Sequence, residues 1–252
     1  PLFNRVGRGL SMTETGHMVF QYADEIFALG AELTSRVKTG RVVVPAVLAV
    51  GIVNSIPKLV ASRVLQPVLQ SEIPIRLVCT EGSLESLLGD LAVHQLDLVL
   101  SDRPIPAGLS VKAFSHALGS SEIALFAKKG MARQYEKSFP QSLDKAPILL
   151  PNMDNPIRRE LDDWFDQQEI SPTLVAEFED SALMKAFGQA GNGIFPSPAA
   201  ISAEVELMYN ARQIGPALPV TENYFAISPE RKLKHPAVLK IIEQARSELL
   251  PR

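Results

Sequence analysis

The chain has 252 residues and a mass of 27.5 kDa, with 46% hydrophobic residues, 21% charged residues and a formal net charge of −3. At roughly 150 residues per domain this length predicts two lobes, and the composition excludes disorder, collagen-like repeats and a disulfide scaffold. The single cysteine, Cys79, cannot form an internal bridge, which fits a reducing compartment; no apolar run approaches the ~18 residues of a membrane helix, and no signal-peptide pattern opens the sequence.

The first stretch, PLFNRVGRGLSMTETG, places Arg5 and Arg8 around Gly7 and Gly9. Gly-x-Gly is turn chemistry, so Phe3 to Arg5 and Leu10 to Met12 read as a short hairpin with a basic tip. Thr13 then resembles an N-cap, with Glu14 favourably placed in the first turn. The helix that follows carries Val19, Tyr22, Ile26, Leu29, Leu33 and Val37 at spacings of 3, 4, 3, 4 and 4, a coiled-coil-like seam. It ends at Thr39-Gly40, just before a new domain begins. A stripe of that kind either packs on its own domain or joins two copies; outside a domain, dimerisation is the expected use.

From Arg41 the pattern becomes alternating short apolar runs and helices. VLAVGI (47–52) reads as a buried strand, and 57–69 as an amphipathic helix whose start is set by Asn54 or Ser55. IRLVCTE (75–81) is a strand with Ile75, Leu77 and Cys79 on one face. Ser83 caps a helix through Val93, and LDLVLSD (96–102) is a third strand. This β-α-β-α-β order implies a parallel sheet with ligand sites at the strand C-termini. The second half repeats the logic: strands at 123–128, 147–151, 174–178, 193–198 and 224–228, helices at 157–168 and 181–190, and a last helix opened by His235 and Pro236.

Charge is unevenly spread. Residues 154–180 hold nine acidic side chains against Arg158 and Arg159, a segment of −7, so the rest of the chain carries +4. The segment is either one solvated face or a surface that attracts cations and repels nucleic acid.

Catalytic patterns do not emerge. His17, His94, His116 and His235 are scattered, no cysteine cluster accompanies them, and neither a nucleophile elbow nor a P-loop is present. The expectation is a non-enzymatic protein without a cofactor.

Several phrases carry a family resemblance. LFNRVGRGLSMTETG resembles the wing and linker-helix start of LysR-type transcriptional regulators, and EGSLESLLGDLAVHQLDLVLSD the first half of their effector domain. With GNGIFPSPAAI and SPERKLKHPAVLKIIEQARSELL, the resemblance spans essentially the whole chain. YADEIFALGAEL, LDLVLSDRPI, EFEDSALMKAFG and ERKLKHPAV are similar, more narrowly, to the activators of sodium/proton antiporter genes.

The resemblance implies an α/β fold: a two-lobed, periplasmic-binding-protein-like effector domain preceded by a wing remnant and a long dimerisation helix. The implied divisions are 1–12 for the wing, 13–40 for the linker helix, 41–121 with 229–252 for subdomain I, and 122–228 for subdomain II. A helix-turn-helix would precede Pro1, so this chain is expected to be the effector-binding and oligomerisation part, without specific operator reading of its own. Arg5 and Arg8 would touch the DNA backbone, which positions rather than specifies. Implied partners are promoter DNA, a second copy in a dimer or tetramer, and RNA polymerase, in the cytoplasm and without a membrane. A two-lobed solute-binding receptor without DNA function is the alternative, but a dimerisation helix and a basic hairpin would serve no purpose there.

Effectors of the family lie between the lobes, which here implies Asn54, Ser55, Glu81, Ser83, Asp102, Asn152 and Ser197. Two carboxylates disfavour an organic anion, and oxygen-rich Asn54, Ser55, Glu81, Ser83 and Asp102 suit a hard cation, in keeping with the implied sodium response. Alternatively, Glu81 and Asp102 cap helices or pair with Lys58 or Arg103.

Overall fold

A computed structural model describes residues 1–6, 9–39, 46–70, 74–109, 111–229 and 236–246. Strands β1 (Phe3–Val6) and β2 (Gly9–Met12) pair antiparallel, with Phe3 opposite Met12 and Arg5 opposite Leu10. The tip with Gly7 and Arg8 lies outside the described residues, as does the side chain of Arg5. Thr13 Oγ1 accepts the Gly16 amide at 2.9 Å and caps the helix α1 (Glu14–Thr39). Along α1, Val19, Tyr22 and Ile26 are exposed, and so are Met18, Phe20 and Phe27. The side chains of Leu29, Leu33 and Val37 lie outside the described residues. No described helix is long and apolar enough to cross a membrane.

Next come β3 (Ala46–Val53), α2 (Lys58–Leu69), β4 (Ile75–Gly82), α3 (Leu84–Ala92) and β5 (Leu98–Ser101). Both β4 and β5 run parallel to β3, as the strand–helix alternation requires. Leu48, Val50 and Ile52 turn one face of β3 to a buried core shared with α2. On the other face, a Cβ at Gly51 would stand 2.8 Å from Leu96 Cδ1 and 3.0 Å from Leu87 Cδ2, so the missing side chain lets α3 close on the sheet. Contrary to expectation, neither Asn54 nor Ser55 caps α2. Its N-cap is Pro57, with no side-chain bond. Their polar groups are therefore left for other work.

The second half consists of β6 (Phe114–Lys128), α4 (Lys129–Glu136), β7 (Pro147–Pro151), α5 (Pro156–Gln167), β8 (Thr173–Phe178), α6 (Ser181–Ala190), β9 (Phe195–Pro198), α7 (Ser202–Met208), β10 (Ala211–Ser228) and α8 (Pro236–Gln244). The main sheet has the order β4-β3-β5-β10-β6-β9, while β7 and β8 form a separate parallel pair. The long strands β6 and β10 pair antiparallel along their length and belong to both lobes. Residues 225–227 of β10 join β5, whereas 123–126 of β6 join β9. Between Pro216 and Thr221 the β6–β10 register shifts, where the pair passes from one lobe to the other. The second lobe has its own core around Trp164, Phe165, Leu161 and Leu125.

Candidate functional site

A cleft of about 380 Å³ opens between the lobes. From the first lobe it is lined by the residues that follow β3 (Asn54, Ser55), by Ser83 and Glu85 at the start of α3, and by Arg103 after β5. The second lobe contributes Asn152, Asp154 and Asn155 after β7, and Glu179 after β8. All of these lie at the C-terminal ends of parallel strands, where side chains converge while backbone amides of the next helix face the opening. Ser83 Oγ accepts the Ser86 amide at 3.2 Å, and Asn155 Oδ1 the Ile157 amide at 3.1 Å, so the N-termini of α3 and α5 are both capped at the rim.

Among the described residues, two hydrogen bonds cross the cleft. Asn54 Nδ2 donates to Glu179 Oε1 at 3.2 Å, and Arg103 Nη2 to the Asp154 carbonyl at 3.4 Å. The guanidinium of Arg103 is aimed by Asp102, whose Oδ1 it meets at 3.0 Å. Three carboxylates (Glu85, Asp154, Glu179) therefore share the lining with one guanidinium.

Asn54, Ser55, Ser83 and Asn152 come together as the sequence suggests. Glu81 and Asp102 do not join them. Residues Leu77, Cys79 and Glu81 occupy one face of β4, the face toward α2, and Glu81 accepts from Lys58 Nζ at 2.6 Å outside the cleft. The Asp102 side chain is 1% exposed and is engaged by Arg103. The cage of Glu81 and Asp102 oxygens is thus replaced by the two ion pairs, the other arrangement their positions allow. Among the described residues no group of three or more His, Cys, Asp or Glu side chains is gathered in a metal-binding array. Most acidic side chains of the 154–180 segment are exposed, among them Glu160, Asp163, Asp166 and Glu169, while the buried Arg158 guanidinium holds Asp162 at 2.9 Å, bonds to Glu177, and donates to the Pro151 carbonyl at 2.9 Å.

Ser197 lies deeper. It lines an inner chamber of about 20 Å³ that shares Ser55, Asn155 and Glu179 with the cleft and reaches Lys185 and Glu222. Lys185 and Ser197 are each 2% exposed and Glu222 4%. Ser55 Oγ and Ser197 Oγ are buried without a hydrogen-bond partner among the described residues. Glu222 accepts the Tyr224 hydroxyl. Burial pushes the Glu222 carboxyl up to about 7, with the Asp102 charge adding to the rise and Tyr224 and Lys185 opposing it. Burial likewise draws Lys185 down to about 8 against the pull of Glu222 and Asp180. Sequence reading singles out neither residue, because each lies in an otherwise ordinary element. A lysine on the apolar side of α6, between Met184 and Ala186, is the one available signal.

Residues 45–250 match the family described as the LysR substrate binding domain. The chain belongs to the LysR family. It is 35% identical over 240 residues to the transcriptional activator protein NhaR of Escherichia coli (strain K12), an alignment covering 95% of this chain and 78% of NhaR. Among solved structures, the LysR regulator CbnR, crystallised in full length with its target DNA, superposes with a TM-score of 0.63 at 16% identity, covering 98% of this chain and 84% of CbnR. The effector binding domain of QuiR in complex with shikimate gives a TM-score of 0.57 at 15% identity, covering 80% of this chain and 96% of that domain. These likenesses establish the two-lobed α/β effector fold. LysR membership makes the chain a non-enzymatic transcription regulator and sets aside a solute receptor without DNA function.

Proposed function

We propose that this LysR chain is the effector-binding and oligomerisation part of a transcriptional activator of the NhaR kind, one that answers sodium and controls a sodium/proton antiporter gene. The observation that carries the reading is the polarity of the cleft: three carboxylates, five amide or hydroxyl side chains beside them, and a single guanidinium already held by Asp102. Such a lining attracts a cation and disfavours the organic anion that a hydroxyl-rich cleft of this architecture would take. The identity to NhaR over 95% of the chain supports the same reading.

In this proposal residues 1–12 are the wing, 13–40 the oligomerisation helix, 41–121 with 229–252 one subdomain and 122–228 the other. Arg5 and Arg8 meet the phosphate backbone of promoter DNA. The exposed Val19, Tyr22 and Ile26, continued by Leu29, Leu33 and Val37, join copies into a dimer or tetramer in the cytoplasm, and the DNA-bound assembly contacts RNA polymerase. Asn54, Ser55, Ser83, Asn152 and Ser197 are the effector-responsive residues. The test is operator binding by the full-length protein, titrated with sodium chloride or potassium chloride at equal concentration. Sodium should change the affinity where potassium does not. Identical action of the two salts would reduce the effect to ionic strength and end the sodium reading.

A further inference from the structure

We infer that the second lobe carries a contact between copies: the cationic stripe of α4 docks on the acidic face of α5 in a second copy, whose α4 in turn docks on the α5 of the first. This contact does not depend on the sodium reading above.

Helical spacing builds both faces. Ala132 and Tyr135 turn one side of α4 into the core of the lobe. Lys129, Arg133 and Lys137 follow one another at intervals of four on the side away from it, spanning about 12 Å. All three are exposed, and among the described residues none makes an ion pair or a side-chain hydrogen bond. Glu136, the acid of the same helix, is drawn off by Arg212 at 2.7 Å. On α5, Leu161, Trp164 and Phe165 face the core. Asp163 and Asp166 lie on the opposite side, with Glu169 just past the helix end, and these three are likewise exposed and unpaired among the described residues. Asp162 is held by Arg158, and Glu160 accepts the Thr221 amide at 3.4 Å. Arg159 is the exposed cation that opposes this face.

Charge decides the occupant. Residues 122–228 hold nine basic and fifteen acidic side chains, a net of −6, so the lobe as a whole repels DNA. A cationic stripe in that setting is matched by an acidic protein face, and the chain itself supplies one. Within a copy the two faces do not meet, since no ion pair joins α4 to α5 among the described residues. They do lie side by side: Phe139, just after α4, stacks on Trp164 of α5 with ring centroids 6.0 Å apart. Adjacent patches of opposite sign are self-complementary under a two-fold axis, which makes every match twice.

Shape adds an anchor. A groove of about 270 Å³ runs between α5 and β8, with Asp162 and Asp166 on its rim and Phe165, Pro172 and Leu174 among its apolar walls. It suits a long cationic side chain, the stem on the apolar wall and the head at the carboxylates. Arg133, central in the α4 stripe, is the side chain that fills it. Exposed ion pairs are individually weak and screened by salt. The contact therefore works between copies already joined through other surfaces, and it loosens as ionic strength rises, whichever cation carries it.

The test mixes isotope-labelled and unlabelled full-length protein, lets subunits exchange, and joins lysines to carboxylates with a zero-length carbodiimide reagent. Mass spectrometry of mixed-label peptides then reports bonds between copies. At about 0.1 M salt, Lys129 and Lys137 should couple to Asp163, Asp166 or Glu169 of the other copy. At about 1 M, where the screening length is roughly 3 Å, the yield should fall, and equally in sodium chloride and potassium chloride. Lys129→Glu with Arg133→Glu should cut the yield at Lys137 roughly tenfold, and so should Asp163→Lys with Asp166→Lys, because like charges then face each other. Mixing the two variants, or combining all four reversals in one chain, restores opposite signs and should restore the yield, an outcome that misfolding cannot produce. Bonds that form only within a copy, a yield indifferent to salt, or a mixture that stays uncoupled would each overturn the contact. So would lysines shielded from the reagent only when promoter DNA is added, which would make the stripe a phosphate contact instead.

Discussion

Glu222 and Lys185 show how far one buried side chain can set the response of a protein to pH. Burial raises the Glu222 carboxyl from 4.5 to about 7, so between those values the folded chain holds a proton that the unfolded chain has released. Stability therefore falls as pH rises through that window. Lys185 has the opposite sign. Its value drops from 10.5 to about 8, so the unfolded chain holds the extra proton between 8 and 10.5 and stability recovers as pH rises there. Glu222→Gln should flatten the first slope, an effect of a few kcal/mol across the window for a fully buried group, and should widen the second, because the Glu222 charge that holds Lys185 up is gone. Thermal midpoints measured from pH 4.5 to 10.5 in both proteins check this; an unchanged acid limb in the variant would mean that Glu222 does not titrate there. Nothing in the local sequence around PVTENYFAIS announces such a group, since its burial comes from β6, α6 and the strand ends that surround it.

At the scale of elements, local chemistry carries most of the outcome. Thr13 caps α1, Ser83 caps α3, and α6 spans Ser181–Ala190, all as the sequence predicts. Elements whose ends are marked by a hydroxyl, carboxylate or glycine are legible because the cap is a local hydrogen bond. By contrast, α4 and α7 and the first halves of β6 and β10 leave no such mark, and their form is imposed by pairing and packing. The join between α6 and β9 is especially tight. A Cβ at Gly188 would collide with the Phe195 ring, and Phe195 is itself stacked on Phe126 with ring centroids 5.8 Å apart. Gly188→Ala should destabilise the protein by about 1–3 kcal/mol, read as a lower denaturant midpoint. An unaltered midpoint would show that α6 shifts freely, which its contact with the Ser197 strand argues against. On α1, Ile26 is 67% exposed within one copy. If it lies in an interface between copies, Ile26→Asp should lower the molecular mass seen in sedimentation while both lobes stay folded; the same mass in the variant would remove the seam from that role.

Across the whole molecule, the decisive features are the two strands that run through both lobes and the two bonds that tie the lobes across the cleft. The Asn54–Glu179 bond lies at the cleft surface, so Asn54→Ala should cost less than about 1 kcal/mol of stability. It should nevertheless open the cleft, visible as a larger radius of gyration in solution scattering at unchanged melting temperature. A compact variant would assign the closed arrangement to Arg103 and the β6–β10 pair instead. Much of this architecture was readable from the sequence alone: the β-α-β order, the parallel sheet, the cleft at the strand ends and the family phrases all rest on local pattern, where period, caps and turns act within a few residues. What the tertiary structure decided is which polar groups share a space. Glu81 and Ser83 are two residues apart, yet Glu81 still lies on the α2 face of β4 and meets Lys58, while the chain leaves the strand at Gly82 and Ser83 caps α3 at the cleft. Ser55, Lys185, Ser197 and Glu222 are spread over 168 positions and meet only because β10 returns between β5 and β6. Burial and pairing depend on neighbours brought from far along the chain, and no local pattern encodes them.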